Sequence, residues 1–324
     1  MEVKSDISRY NDKSLSITRN MRYILMISMI LIMILSSCVT EFEVKNENDV
    51  NKLVLLSFLS PSDVMRIKIT KTIPTVNSVI FSPEEFKGLT VEASINNCEY
   101  FKMSIDSTNY MSHIPAYYYD YVPQEGDNIK IRVTDSNGKF ATIYGETVIP
   151  QSPIIEYIYH YKDVRKFTES KDSVVVDSVA VVTYKISDKS GHNFYHISIT
   201  NNGTPYSPGI AYVDPIVQNS RYNIFKDTTF DESCYYFTIE VRLHHFSDNY
   251  VSVALFNMTS ELFQYLTSME TAENNEDNIF SEPYHLYSNI SNGGGVIGSY
   301  TSTNLTIKIP VSIDWYWYMK NSCI

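Results

Sequence analysis

An all-β fold is predicted by three features of this 324-residue chain. Its apolar segments are crowded with Val, Ile, Thr and Tyr, with 26 tyrosines in all, which is strand rather than helix composition. Within those segments polar and apolar residues alternate, so one face of each is set to be buried. Asn, Gly, Pro and Asp interrupt them at short intervals, as turns do between antiparallel neighbours.

Taken in order, the elements begin with "KLVLLSFLS" (52–60) and "VMRIKITKTI" (64–73), a strand pair around Ser60-Pro61-Ser62-Asp63. "LTVEASINN" (89–97) and "EYFKMSI" (99–105) predict a hairpin over Asn96-Asn97. "NIKIRVT" (128–134) meets Asp135-Ser136-Asn137-Gly138 and then "KFATIYGETVI" (139–149). Asn-Gly between two alternating runs is a strong hairpin signal. Six or seven such strands in about 100 residues predict an immunoglobulin-like or carboxypeptidase-regulatory-like β-sandwich. Pro150 and Pro153 have no N–H for a ladder and mark a boundary. A second β-rich domain follows, with strands expected at 178–187, 193–200, 235–246, 250–258 and 304–313. One helix near 260–272 interrupts it. Thr259 or Ser260 can cap it, Glu261 suits its positive end, and Leu262, Leu266 and Met269 share a face beside Phe263. "AENNEDN" (272–278) is expected to end it as a solvated acidic loop.

The start of the chain has its own logic. Residues 23–35 are an apolar run of 13, broken only by Ser28, preceded by Arg19 and Arg22. A bilayer-spanning helix needs about 20 residues, whereas a basic start, a short apolar core and small closing residues make a secretory signal. Leu35-Ser36-Ser37-Cys38 resembles the lipobox of bacterial lipoproteins, in which the cysteine thiol is acylated and becomes the new N-terminus. Met21 is a natural start for such a signal. A short membrane anchor followed by a chance cysteine is the competing reading. The divisions expected are therefore a signal peptide over 1–37, an acidic tether over 38–52, an N-terminal β-sandwich over 53–151 and a C-terminal β-rich domain over 152–324.

Residues 1–37 hold five Lys/Arg and three Asp/Glu, so their removal takes the net charge from −11 to −13. A surface that acidic repels nucleic acid and gains nothing from anionic lipid. Cys98, Cys234 and Cys323 allow at most one further bridge and form no CxxC pair.

Apparent motifs weaken in context. Gly293, Gly295 and Gly298 satisfy GxGxxG with Asp314 downstream, but a polar loop precedes them and a strand pattern follows. A dinucleotide loop needs the reverse, a strand before and a helix after, so the glycines are read as permitting positive φ. His244 and His245 face opposite ways on a strand, and His192 and His196 would stand about 13 Å apart. No HExxH, GxSxG or EF-hand spacing occurs. The expectation is no catalytic residue, no metal, no cofactor and no enzymatic activity. "YYYDY" (117–121) and "WYWY" (315–318) could be ligand platforms, but alternating half-buried strand faces explain them better. Four Asp-Ser/Thr triplets, at 106–108, 172–174, 177–179 and 227–229, resemble a bacterial O-glycosylation acceptor and agree with export.

The lipobox cysteine, "EGDNIKIRVTDSNGKFATIYGETVIP", the late helix and "YSNISNGGGVIGSY" together resemble one family, the Bacteroidetes outer-membrane lipoproteins of domain of unknown function 4249. The likeness spans nearly all of 38–310; the extra N-terminal residues and the aromatic tail after Pro310 depart from it. The family offers no catalytic residues to carry over. It implies placement on the outer membrane and a role beside a TonB-dependent receptor in nutrient capture. The lipobox implies lipid attachment at Cys38, and Glu41 and Glu43 loosely resemble a surface-export signal. The body is therefore expected at the cell surface, with the periplasmic face as the competing placement. A structural or adhesive surface lipoprotein is the alternative.

Overall fold

The computed structural model describes residues 52–72, 83–106, 114–170, 173–187, 191–201, 204–205, 210–212, 220–229, 234–243, 249–275 and 285–309. Cys38 and the tether before Lys52, His244, His245, Cys323 and the 315–318 cluster lie outside them.

Seventeen strands and one α-helix occur among the described residues. The first half supplies β1 (Leu53–Leu59), β2 (Met65–Lys71), β3 (Leu89–Ile95), β4 (Phe101–Lys102), β5 (Ser104–Ile105), β6 (Ala116–Tyr119), β7 (Asn128–Asp135) and β8 (Ile143–Val148). The second supplies β9 (Ile154–Ser170), β10 (Ser173–Ser187), β11 (Phe194–Asn201), β12 (Thr204–Pro205), β13 (Ile210–Tyr212), β14 (Ile224–Lys226), β15 (Cys234–Arg242) and β16 (Asn249–Met258). Helix α1 (Ser260–Asn275) and β17 (Gly294–Ile309) complete the order.

A nine-stranded sheet runs β12–β11–β16–β17–β1–β2–β6–β5, with β14 also on β11. Two four-stranded sheets, β4–β3–β7–β8 and β13–β15–β10–β9, accompany it. Alternation decides which faces meet. Leu53 and Leu55 of β1 and Met65, Ile67 and Ile69 of β2 share a core with Val91, Ala93, Ile129, Ile131 and Val133 from β3 and β7. Tyr195, Ile197, Val251, Val253 and Leu255 of β11 and β16 pack against Ala180, Val182, Tyr184, Phe237 and Ile239 of β10 and β15. The fold is thus all-β, two sandwiches built on one large sheet. Each buried aliphatic side chain contributes about 1.5–3 kcal/mol.

The chain does not divide cleanly at 150–153: Ile290 and Ile297 join the first core from beyond it, and the large sheet runs across it. Six residues of β17 pair in parallel with β1, from Val54↔Gly294 to Leu59↔Ser299. The remainder pairs antiparallel with β16, from Met258↔Tyr300 to Asn249↔Ile309. One strand therefore serves both sandwiches, and Asp49–Ile324 forms one compact unit. The odd positions of β17 record this. Ile297 belongs to the first core, and Leu305, Ile307 and Ile309 belong to the second. Between them Ser299, Thr301 and Thr303 are hydroxyl residues, because here the strand faces the connecting chain. Ser299 Oγ donates to the Val148 carbonyl (2.8 Å), Thr301 Oγ1 to Gln151 (2.9 Å) and Thr303 Oγ1 to Pro153 (2.6 Å). Glu125 receives the Ser152 amide (3.1 Å) and its hydroxyl, and Asn257 Nδ2 donates to the Gln151 carbonyl (2.9 Å). The proline-bracketed segment is fastened by side chains in place of the ladder that prolines cannot complete.

The glycines of 293–298 are what let β17 fit. Gly295 has φ +89°, and a Cβ there would stand 2.1 Å from the Leu55 carbonyl oxygen. At Gly298 a Cβ would stand 2.7 Å from Cβ of Leu262 on α1. Positive φ thus holds at Gly295, while at Gly298 the need is close approach. Strand 304–313 was expected to begin ten residues later than β17 does, and β9 was not expected at all.

Candidate functional site

The face of the large sheet opposite the second core is covered by α1. The even residues of β11 and β16, among them His196, Phe256 and Met258, point that way because their odd neighbours fill the core. Helix α1 buries Leu262, Phe263 and Tyr265 against this face, and Leu262 and Phe263 join Met258 and Ile224 in a third apolar cluster. Met269, expected on the buried face, is only half-buried, and Ser268 is buried instead. Thr259 does not cap the helix through its side chain. Its hydroxyl accepts from the Ser299 amide (3.3 Å), so it ties the helix start to β17.

Beside α1 the apolar face stays partly uncovered and forms a groove of about 360 Å³. Met258, Leu262 and Leu266 line it with aliphatic carbon; Phe58, Phe256, Tyr300 and Tyr222 supply rings; Arg221, Asn223 and His196 add polar groups. The His196 and Phe256 ring centroids are 5.0 Å apart, and Phe256 meets Tyr300 edge-on at 5.6 Å, favourable spacings for aromatic pairs. Phe58 is about half exposed (49%).

One wall is a turn over 220–223 clamped to the helix. Glu270 accepts from the Ser220 hydroxyl (3.2 Å) and the Arg221 amide. One turn on, Glu273 accepts from the Tyr222 phenol (2.5 Å) and pairs with the Arg221 guanidinium (3.0 Å). The bond to Glu273 raises the Tyr222 phenol's pKa, burial adding to it. The helix therefore continues through Asn275, and Glu273, expected in a solvated loop, is a structural clamp; 276–278 lie outside the described residues.

His196 is the chemically distinctive member. Its Nδ1 lies 2.7 Å from the Tyr222 carbonyl oxygen. A carbonyl can only accept, so Nδ1 carries the proton and Nε2 is left as an acceptor in the neutral ring. Burial lowers its pKa against the opposing pull of the Tyr222 and Asn223 carbonyls.

The family model for a domain of unknown function, DUF4249, matches residues 39–306. The chain belongs to that family. No curated protein matches it. In this DUF4249 member the segments that carried the resemblance have visible structural tasks. Asp127 of the "EGD" turn is buried and accepts from Tyr121 (2.6 Å), the Gln124 amide (2.8 Å) and Asn96 Nδ2 (2.8 Å). Burial raises the pKa of its carboxyl, yet the three hydrogen bonds prevail and hold it below the ordinary value, while the same bond pushes Tyr121 up to about 12. Asn289 of the 288–300 segment mimics a strand residue, donating to the Ile297 carbonyl (2.8 Å) and accepting its amide (3.0 Å).

Other residues singled out by sequence are not brought together. His192 is exposed outside the strands, whereas His196 joins the groove. Among the described residues no three His, Cys, Asp or Glu side chains group as metal ligands. Tyr117 is buried and Tyr118 exposed, with Tyr119 stacked on Phe101 at 3.9 Å, so "YYYDY" is an alternating strand face. Cys98 is exposed in the loop between β3 and β4, and Cys234 is buried at the start of β15. Asp227, first of the last Asp-Thr triplet, is buried and accepts from Asn193 (amide, 2.5 Å), a structural use. The groove itself was missed, since it draws residues from five separated segments. Its one local trace is the run Ser220-Arg221-Tyr222-Asn223, a polar turn rich in side-chain donors.

Proposed function

We propose that this DUF4249 member is a lipid-anchored outer-membrane protein that captures a small ligand and hands it to a TonB-dependent transporter, without chemistry of its own. The observation that carries the capture role is the preformed groove at α1. It is concave, mostly apolar and furnished with a few fixed polar groups, the common form of a small-molecule site. Anchoring rests on Leu35-Ser36-Ser37-Cys38 after a short apolar run; two or three acyl chains, at about 0.8 kcal/mol per buried methylene, hold a protein on a membrane almost irreversibly. The transporter partnership rests on the family resemblance. The expected tether of 14 residues after Cys38, Val39 to Lys52, at up to roughly 3.3 Å each, gives the body reach toward a neighbouring receptor.

An adhesive role is the second reading, and one feature favours it. The β9–β10 hairpin extends well past its neighbour, since β15 pairs with β10 only from Val179 onward. Such a ribbon could serve contact between surfaces.

The anchoring part is tested by metabolic palmitate labelling with fractionation. Cys38→Ala should lose the label and leave the membrane fraction with the sandwiches folded. Label retained on Cys38→Ala would refute attachment there, and wild-type resistance to protease shaving of intact cells would place the body in the periplasm.

A further inference from the structure

The ligand's chemistry can be narrowed further, on the reading that the groove is a capture site. We propose that the groove takes a neutral, planar aromatic molecule that donates one hydrogen bond to Nε2 of His196.

Three observations lead there. The volume, about 360 Å³, is at the small end of the range for small-molecule sites, enough for one or two fused rings. Aliphatic Met258, Leu262 and Leu266 stand beside aromatic Phe256 and Tyr300, surfaces that reward burial of a flat apolar body and offer an edge-to-face partner. A sugar or zwitterion would strand most of its polar groups in such a lining, each at a cost of about 1–3 kcal/mol.

Charge is answered from within the protein. The Arg221 guanidinium is paired with Glu273 at 3.0 Å, and its backbone amide with Glu270. A ligand anion at Arg221 would lie beside the carboxylate of Glu273, and a ligand cation would meet the guanidinium of Arg221. Asn223 and the Tyr300 phenol also line the groove, but the imidazole is the group whose hydrogen-bonding sense the protein fixes. Its Nδ1–H is committed to the Tyr222 carbonyl, so the nitrogen available to a ligand is an acceptor, and the complementary group is an N–H or O–H.

Detergent-solubilised full-length protein is titrated with indole, 1-methylindole and indole-3-carboxylate, read by calorimetry and saturation-transfer NMR. Indole should bind saturably, and 1-methylindole about threefold to tenfold more weakly, the net worth of one hydrogen bond. The carboxylate should bind more weakly than indole. His196→Leu should erase the difference between indole and its methylated form, and Leu266→Trp should abolish both. If Leu266→Trp melts early, Phe58→Arg at the groove rim takes its place. Absence of saturable binding, equal affinities for the two indoles, discrimination surviving in His196→Leu, or binding unaffected by the blocking variant overturns the proposal. A transporter recovered by a protein that binds no probe sinks the ligand class alone; indole binding without any recovered transporter sinks the partnership alone.

Discussion

At the scale of single residues, Gly295 and Asp127 carry more than their size suggests. Gly295→Ala places a methyl within 2.1 Å of the Leu55 carbonyl at a φ of +89°, and should cost more than about 3 kcal/mol, seen as loss of soluble folded protein. Asp127→Ala strips the acceptor from Tyr121, Gln124 and Asn96 and should cost about 3 kcal/mol in urea unfolding. Two half-buried histidines set a pH dependence. His160 and His196 both have folded-state pKa values lowered by burial from 6.5. The unfolded chain then binds protons that the folded chain refuses, so stability is full above that value and declines as pH falls toward the lowered ones. Around His196 the charged or titratable neighbours are Arg221, Tyr222 and Tyr300, with Glu270 and Glu273 behind the turn. The melting temperature should drop between about pH 7 and about pH 5, and less so in His160→Gln/His196→Gln. An unchanged melting temperature over that range would contradict the assignment. Much at this scale was legible. Asn96-Asn97, with φ of +52° and +62°, and Gly138, with +65°, sit in the turns their residue types demand. The role of Asp127 was hidden, because its partner Asn96 lies 31 residues away.

At the scale of elements, β17 joins the two sandwiches, and its pattern explains how. Replacing Ser299, Thr301 and Thr303 by Ala, Val and Val keeps the shape but leaves three carbonyls of the connecting segment without their hydroxyl donors. A loss of about 3 kcal/mol, near 1 per bond, is expected, with faster hydrogen exchange at the start of β9. Exchange unchanged there would mean that the hydroxyls do not hold the segment. Short alternating strands such as β2 and β7 were readable because each has one face in a core. Strand β9 was not, since much of "IIEYIYHYKDVRKFTES" lies beyond the second core and shows no clean alternation. The first half of β17 was obscured by Gly293-Gly294-Gly295, a run of weak strand formers lying close against β1, as Gly298 lies against α1. Helix α1 was legible apart from its cap and its final residues, both of which are set by tertiary partners.

At the scale of the whole molecule, sharing of β17 couples two cores that the linear pattern presents as separate. Heat should therefore unfold residues 53–309 in one cooperative transition, and truncation before Gly294 should unfold both sandwiches; two calorimetric transitions would contradict this. A body fastened in this way offers the α1 groove on a rigid support, which limits what a ligand costs to order. That is the physical basis for the proposed capture role, and the proposed reach rests on the tether expected after Cys38. Pairing with a membrane transporter is the claim on which the functional account stands. The most direct measurement is affinity capture with the full-length, acylated chain from detergent-solubilised outer membrane, with bound proteins identified and quantified by mass spectrometry. The account predicts near-equimolar recovery of a TonB-dependent transporter, retained when the folded Cys38→Ala body replaces the wild type. Recovery of no transporter above the level seen with an unrelated lipoprotein would contradict it.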